Sequence, residues 1–124
     1  AKLKLFDIER GTCKRTCLGH RKGILSVAAV DSLALVVSGG LDRDLLVWPY
    51  VGAGGGRALA SLRGHESSVV QVVSDPEHAQ AISLGADHTV RVWDLRKMQC
   101  VQVLNTRSET AAAKAAENVD GADR

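Results

Sequence analysis

The chain has 124 residues, of which 45% are hydrophobic and 24% charged, so it is long enough for one globular domain. Its formal net charge of +2 argues against a dedicated nucleic-acid-binding protein, because phosphate neutralisation requires a clustered basic stripe. The nearest candidates for such a stripe are the basic pairs at positions 14–15 and 21–22, which fall in or beside predicted turns. No apolar run approaches the roughly 18 residues that span a bilayer, and no signal peptide precedes the first predicted strand, so we expect an intracellular protein without a membrane partner.

Alternation of apolar and polar residues between turn residues predicts a chain built from short strands. Two strands are expected within residues 3–18, four at 24–30, 33–38, 44–48 and 57–62, and four more at 69–73, 80–83, 89–93 and 99–104. Gly39-Gly40 and Gly85-Ala86 predict tight hairpins in which the backbone φ can be positive. Residues 107–124 are polar and alanine-rich, and the helix they favour at 111–117 is too short to be stable alone, so we expect a linker or mobile tail rather than a docked helix.

One structural unit occurs twice, at an offset of 45 residues. The residues that recur are His20 and His65, Ser38 and Ser83, Asp42 and Asp87, Trp48 and Trp93. Each copy opens on Gly-His, at 19–20 and 64–65, and the second copy closes on Trp-Asp where the first has Trp-Pro. This period and these dipeptides resemble the WD40 repeat, the four-stranded blade of a β-propeller. The resemblance is specific because four residue types agree at fixed spacing.

The WD40 resemblance covers about residues 2–105 and implies an all-β fold. It implies a partial WD40 β-propeller, with two complete four-stranded antiparallel blades and the outer two strands of a preceding blade. The expected boundaries are 1–18 for those outer strands, 19–63 and 64–106 for the two repeats, and 107–124 for the tail. Because residues 3–7 overlay 90–94, with Phe6 in place of tryptophan, we expect a fragment whose ring is completed by other blades.

In the WD40 family, a buried indole N–H, a hydroxyl, an imidazole and a carboxylate form a hydrogen-bonded relay inside each blade. Carried over by position, the resemblance implies two structural tetrads: His20, Ser38, Asp42 and Trp48, and then His65, Ser83, Asp87 and Trp93. A Ser-His-Asp hydrolase is the competing interpretation. We expect no catalytic residue, because the set occurs twice, no Gly-x-Ser-x-Gly elbow is present, and a nucleophile has to be exposed.

Two further sequence features resemble ligand sites only superficially. The glycine-rich segment 52–56 is followed by Arg57 where a dinucleotide fingerprint needs glycine, and it lacks both a following helix and a Walker lysine, so we interpret it as a loop insertion. Cys13, Cys17 and His20 are one ligand short of a structural zinc site, and the two cysteines are too far apart along a strand for a disulfide. We expect no metal, no cofactor and no small-molecule substrate.

Function in such a scaffold is expected on the loops, which the resemblance places on one rim of the blades. The partner-binding candidates are Arg21, Lys22, Leu41 and Arg43 in the first repeat, and Glu66, Ser67, Ala86 and His88 in the second. We predict a non-catalytic protein–protein interaction scaffold whose partners are other proteins and the remaining blades of the same propeller.

Two subgroups of the family have matching segments. GHRKGILSV, VSGGLDRDLLVW, LRGHESSVVQV and VWDLRKMQCVQVL are similar to blades of long EF-hand-containing WD-repeat proteins of ciliary axonemes. That likeness implies docking within a ciliary or microtubule-associated assembly, in the cytoplasm or cytoskeleton. As an alternative, AISLGADHTVRVWDLR at 81–96 resembles the box by which some WD40 proteins act as substrate receptors of cullin-type ubiquitin ligases. Its marked positions are Asp87, Trp93, Asp94 and Arg96.

Overall fold

The computed structural model describes residues 1–51 and 56–106, which form ten strands and one short 3-10 helix. In chain order these are β1 (Lys2–Asp7), β2 (Thr12–Leu18), β3 (Ile24–Val30), the 3-10 helix (Asp31–Leu33), β4 (Leu35–Gly40), β5 (Leu45–Pro49), β6 (Ala60–Leu62), β7 (Val69–Asp75), β8 (Gln80–Gly85), β9 (Thr89–Asp94) and β10 (Gln99–Asn105). The expected tail at 107–124 and most of the glycine-rich loop, 52–55, lie outside the described residues. Among the described residues, none forms a helix with the length and hydrophobicity of a membrane span.

The strands form three antiparallel sheets. An N-terminal hairpin pairs β1 with β2, a first sheet has the order β3-β4-β5-β6, and a second sheet has the order β7-β8-β9-β10. In both four-stranded sheets each strand pairs with the next in sequence, so the turns alternate between two edges. The β4–β5 and β8–β9 turns therefore occupy one edge of their sheets, and the β9–β10 turn occupies the other. This architecture confirms the prediction of two complete blades and an outer pair of strands.

Most strands lie where the alternation predicts, and one deviation has a clear local cause. β3 has the predicted bounds, 24–30. β4 begins at Leu35 rather than at 33, because Asp31–Leu33 form a 3-10 turn that ends on Ala34 in the left-handed region, with φ at 54°. β6 is shorter than the predicted 57–62 and covers only Ala60–Leu62. The sequence pattern therefore locates the strands, but the turns between them set the ends.

The glycines before the hairpin aspartates are needed for close packing, not for positive φ. Gly39 and Gly40 are residues of β4, and neither they nor their counterparts in the second repeat have positive φ, so that prediction is wrong. The left-handed residues of these two turns are Arg43, with φ at 70°, and His88, with φ at 66°. A Cβ on Gly39 would lie 2.5 Å from Val69 Cγ1, well inside van der Waals contact. The first and second sheets can approach this closely only because glycine has no side chain.

Two hydrophobic cores lie between the sheets. The larger core joins the first and second sheets, and Val37, Leu45 and Val69 are fully buried in it. The smaller core joins the hairpin to the first sheet around Cys17 and Trp48. Removal of this apolar surface from water is the main force that holds the three sheets face to face. Because the sheets pack face to face, the loops at the edge that carries the β4–β5 and β8–β9 turns lie on a common rim.

Candidate functional site

The first sheet contains a continuous hydrogen-bonded relay from an indole to a carboxylate. Trp48 Nε1 donates to Ser38 Oγ at 2.8 Å, and Ser38 Oγ lies 2.6 Å from His20 Nε2. His20 Nδ1 lies 2.9 Å from Asp42 Oδ2, which also accepts from the Arg21 backbone N–H at 3.2 Å. Every group is satisfied when the serine hydroxyl donates to Nε2 and the Nδ1–H donates to the carboxylate. The relay thereby connects β4 and β5 to the β2–β3 loop and the β4–β5 turn.

The second sheet repeats the inner part of this relay but not its outer end. Trp93 Nε1 donates to Ser83 Oγ at 2.8 Å, and Ser83 Oγ lies 2.6 Å from His65 Nε2. No hydrogen bond between His65 and Asp87 is present in the described part of the chain. Instead, Asp87 Oδ1 accepts from the Thr89 hydroxyl at 2.7 Å, and Thr89 Oγ1 lies 3.5 Å from His65 Nδ1. The structure thus brings three predicted tetrad members together and inserts Thr89 between them and the fourth.

Sequence reasoning missed Thr89 because the repeat offset pairs it with a residue of a different kind. The equivalent residue in the first sheet is Asp44, which lies outside the relay and forms an ion pair with Arg63, Nε to Oδ2 at 3.7 Å. A hydroxyl two residues after the hairpin aspartate is the signal that could have revealed it, because a short side chain there can bond back to the carboxylate. At 3.5 Å, the contact between Thr89 and His65 is at the long limit of a hydrogen bond, so the second relay is looser at its outer end.

The surroundings of His65 keep its imidazole neutral. Burial lowers the pKa of His65, the Arg91 guanidinium lowers it further, and the Asp87 carboxylate acts in the opposite direction. A neutral ring suits the relay, because Nε2 must accept from the Ser83 hydroxyl. The pKa of Asp87 is also lowered, chiefly by the hydrogen bond from the Thr89 hydroxyl, while burial opposes that shift. The carboxylate is therefore ionised and the imidazole uncharged at neutral pH.

Arg91 is a second residue that the sequence analysis did not single out. It stands on β9 at the position that Leu46 holds on β5, and its guanidinium comes within 2.8 Å of the place where a Cβ on Gly64 would lie. One terminal nitrogen lies 3.9 Å from Cys100 Sγ, and the buried Nε has no hydrogen-bond partner within the described residues. A charged residue at the position that is apolar in the first four-stranded sheet is the signal for it. Its charge acts on the second relay through His65.

The chemistry available to the two relays is positioning. Ser38 and Ser83 are both 0% exposed, and each hydroxyl is held between an indole and an imidazole, so neither has the access that a nucleophile requires. In residues 1–51 and 56–106, no cluster of three or more His, Cys, Asp or Glu side chains is arranged to hold a metal ion. Each buried hydrogen bond contributes about 0.5–1.5 kcal/mol net, but an unpaired partner costs about 1–3 kcal/mol. The relays therefore enforce one geometry of the loops.

The four rim candidates of the first repeat lie together. Arg21 and Lys22 are in the β2–β3 loop, Leu41 and Arg43 are in the β4–β5 turn, and all four are exposed. Together with Asp42 they line an open cavity of about 370 Å³. The loop and the turn are joined by the Arg21–Asp42 bond and by a bond of 2.9 Å from the Leu41 N–H to the loop backbone. This cavity, lined by Arg21, Lys22, Leu41, Asp42 and Arg43, is called the basic rim pocket below.

The rim candidates of the second repeat differ in character. Glu66, Ala86 and His88 are exposed, but Ser67 is half-buried and its hydroxyl accepts the Asp87 backbone N–H at 3.0 Å. Ser67 therefore connects the β6–β7 loop to the β8–β9 turn. The two copies place their loops in the same way but present different chemistry at the surface.

Comparison with known families agrees with this architecture. The model of the WD domain, G-beta repeat, matches the chain twice, at residues 11–49 and 56–94. The first match runs from β2 to β5 and the second from the segment before β6 to β9. Each matched segment therefore combines the outermost strand of one sheet with three strands of the next.

Several curated proteins are similar to the chain over most of its length. THO complex subunit 3 of Arabidopsis thaliana is 32% identical over 93 residues, which cover 73% of this chain and 30% of that protein. Cilia- and flagella-associated protein 337 B of Tetrahymena thermophila is 31% identical over 107 residues, which cover 86% of this chain and 8% of that protein. General transcriptional corepressor TUP1 of Saccharomyces cerevisiae is 32% identical over 94 residues, with coverages of 71% and 13%. The chain spans less than a third of each of these relatives. The two matched repeats and the blades that they form show that the chain belongs to the WD40 repeat family.

Proposed function

We propose that this chain is a non-catalytic protein–protein interaction scaffold that binds partner proteins through its rim loops. The basic rim pocket carries the proposal, because it is concave, exposed and bounded by a loop and a turn that one buried relay holds in place. A surface of this kind combines exposed side chains with a backbone whose position is fixed before binding. Such preorganisation reduces the entropy lost when a partner docks.

We infer that the two tetrads, with Thr89 added to the second, have a structural role. The support is their burial and their positions, since each connects two inner strands of a sheet to rim segments of the same sheet. In this view the relays contribute to function by keeping the rim loops in one arrangement, and the exposed side chains of those loops make the contacts with a partner.

We further infer that additional sheets of the same kind pack on the far face of the second sheet. On that face Val73 is 44% exposed, and the half-buried Ile82, Leu84 and Val90 line the same apolar hollow. In the first sheet, the positions equivalent to Ile82 and Val90 are held by Val37 and Leu45, and both are fully buried under the second sheet. An apolar face that is covered in one copy and open in the next supports a ring whose other blades complete it.

A site-specific photo-crosslinking experiment tests the scaffold proposal. Benzoylphenylalanine in place of Leu41, in the basic rim pocket, should yield covalent adducts with other proteins when the full chain is irradiated in cells. The same residue in place of Arg96, in the β9–β10 turn at the opposite edge, is the matched control and should yield few adducts. Equal adduct yields at both edges would contradict docking through the rim.

For the setting, we propose an intracellular role in a ciliary or microtubule-associated assembly. The support is the similarity to cilia- and flagella-associated protein 337 B, which extends over 86% of the chain, together with the segments that resemble axonemal WD-repeat proteins. Fluorescently tagged protein should concentrate along cilia when it is expressed in a ciliated cell. Uniform cytoplasmic fluorescence would contradict the ciliary assignment and would leave the scaffold proposal untouched.

We do not propose the cullin ligase alternative, because the residues that suggested it have internal roles. Trp93 belongs to the buried relay, Asp87 is bonded to Thr89, and Asp94 Oδ1 accepts the backbone N–H of Arg96. Of the four marked positions only Arg96 is exposed. The repeat's own architecture accounts for the rest of the motif.

A further inference from the structure

The basic rim pocket holds three cationic side chains that form no ion pair within the described residues. Arg21, Lys22 and Arg43 are all exposed and line the same cavity of about 370 Å³. Over residues 1–51 and 56–106, no carboxylate oxygen lies within ion-pair distance of any of the three. The cavity therefore concentrates positive charge at one point of a chain whose net charge is only +2.

The acidic side chains nearest to these cations in sequence are already engaged. Asp42 Oδ1 and Oδ2 lie 3.1 and 2.9 Å from His20 Nδ1, and Oδ2 also accepts the Arg21 backbone N–H. Asp44 forms its ion pair with Arg63 on the other side of the turn. Neither carboxylate lies within ion-pair distance of Arg21, Lys22 or Arg43, so the pocket lining has three cations for one carboxylate and can accept an acidic group.

The second repeat shows that the fold does not require this charge. At the equivalent positions it carries Glu66 for Arg21, Ser67 for Lys22 and His88 for Arg43. Both repeats nevertheless form the same loop and turn, and Arg43 and His88 share the same left-handed backbone. The cations are thus a property of one rim segment, and they are not a condition for folding.

We propose that the basic rim pocket binds an acidic peptide segment, whose carboxylates pair with Arg21, Lys22 and Arg43 while an adjacent apolar side chain packs on Leu41. Leu41 is 45% exposed among the cations and supplies the apolar contact. A nucleic acid is disfavoured, because its regular backbone charge needs a continuous basic stripe, and the neighbouring repeat presents Glu66 at this level of the rim. The inference rests on the proposed rim docking and specifies the chemistry of the partner.

Fluorescence anisotropy with two peptides tests this specificity. The probe is a fluorescein-labelled peptide of sequence Glu-Asp-Leu-Glu-Glu-Asp, and the control replaces each acid by its amide to give Gln-Asn-Leu-Gln-Gln-Asn. The full chain should bind the acidic peptide at least about tenfold more tightly at low salt, and the difference should shrink when the salt concentration approaches about 0.15 M, where exposed charges are screened beyond about 8 Å. Equal affinity for the two peptides overturns the proposal.

A pair of matched variants tests the location. Arg21→Glu combined with Arg43→His installs the residues that the second repeat carries at these positions, so the fold should tolerate them. This variant should bind the acidic peptide about tenfold more weakly, as expected from the loss of surface ion pairs and the introduction of one repulsive charge. Arg96→Glu combined with Lys97→Ala removes the same formal charge at the opposite edge and should leave affinity within about twofold. Equal weakening in both variants overturns the proposal, because only overall charge would then matter.

The crosslinking and peptide experiments can fail separately. If the chain shows no preference for the acidic peptide while Leu41 still crosslinks to partners, the rim function stands and only this specificity fails.

Discussion

Substituting Gly39 tests whether the first and second sheets pack as tightly as the structure indicates. Gly39 lies in β4, where the chain passes directly under β7 of the second sheet. A Cβ at this position would lie 2.5 Å from Val69 Cγ1 and 3.0 Å from both Val69 Cβ and Val72 Cγ2. Both valines are buried and β-branched, so their side chains have little freedom to rotate away. The Gly39→Ala variant must therefore separate the two sheets or distort β7.

The size of this effect is the stability lost by overpacking the core minus the smaller stability gained by restricting the unfolded chain. An extra methyl group in a packed core costs about 1–3 kcal/mol, whereas replacing glycine by alanine recovers about 0.4–1 kcal/mol by restricting the unfolded chain. The free energy of unfolding should therefore fall by about 1–2 kcal/mol, out of the roughly 5–15 kcal/mol that a folded domain has in total.

Urea denaturation followed by far-UV circular dichroism measures this difference. Gly23→Ala is the matched control, because its Cβ would meet Leu41 Cδ1 at 3.3 Å, and that atom is the end of a flexible, exposed side chain. The control lacks the overpacking, so its free energy of unfolding should stay unchanged or rise by up to about 1 kcal/mol. If Gly39→Ala unfolds at the same urea concentration as the control, the close approach of β4 and β7 is refuted.

Three further outcomes test the relays. Trp93→Ala should lower the free energy of unfolding by about 3–5 kcal/mol, whereas Arg21→Ala should change it by less than about 0.5 kcal/mol, and equal melting temperatures in thermal scans would contradict this. Asp42→Ala leaves a buried imidazole nitrogen unpaired and should lower the free energy of unfolding by about 1–3 kcal/mol. Asp87→Ala mainly frees a half-buried threonine hydroxyl and should lower it by about 0.5–1.5 kcal/mol. Guanidinium titrations that rank the two variants in the opposite order would refute the difference between the relays. The folded-state pKa of His65 lies below its unfolded value of about 6.5, so the unfolded chain binds more protons in acid. The contribution of His65 to the free energy of unfolding should therefore be fully present above about pH 6.5 and decline as the pH falls towards the folded pKa. Urea midpoints at about pH 7.5 and 5.5 should show this fall, and identical midpoints would exclude a lowered pKa.

The strand positions and the recurring tetrad residues could be read from the sequence because both depend on local patterns. β3 begins and ends as predicted, since a run of alternating exposure marks one strand of a half-covered sheet. The indole, hydroxyl and imidazole of each copy meet because their spacing repeats along an identical meander of strands. Periodicity along the chain was sufficient to predict these features.

Other features depend on contacts between distant segments, which a single sequence does not display. Gly39 was interpreted through its own backbone freedom, but its real constraint is Val69 on the next sheet. Asp87 was placed on the imidazole by its position in the WD40 relay, but Thr89 Oγ1 lies next to His65 Nδ1 and accounts for the Asp87 carboxylate. The charge of Arg91, on β9, lowers the pKa of His65. In each case, the deciding neighbour is distant in sequence or at a position where the two repeats differ.

Hydrogen exchange at the indole nitrogens tests the central claim, that each four-stranded sheet is held by a relay that starts from a buried tryptophan. The chain has two tryptophans, so the Nε1–H protons of Trp48 and Trp93 give two NMR signals that can be followed separately after transfer to deuterated water. Because both protons are bonded to fully buried serines, they should exchange only when a sheet opens, far more slowly than a free indole. Exchange of either indole proton at the rate of a free indole under native conditions would contradict the account.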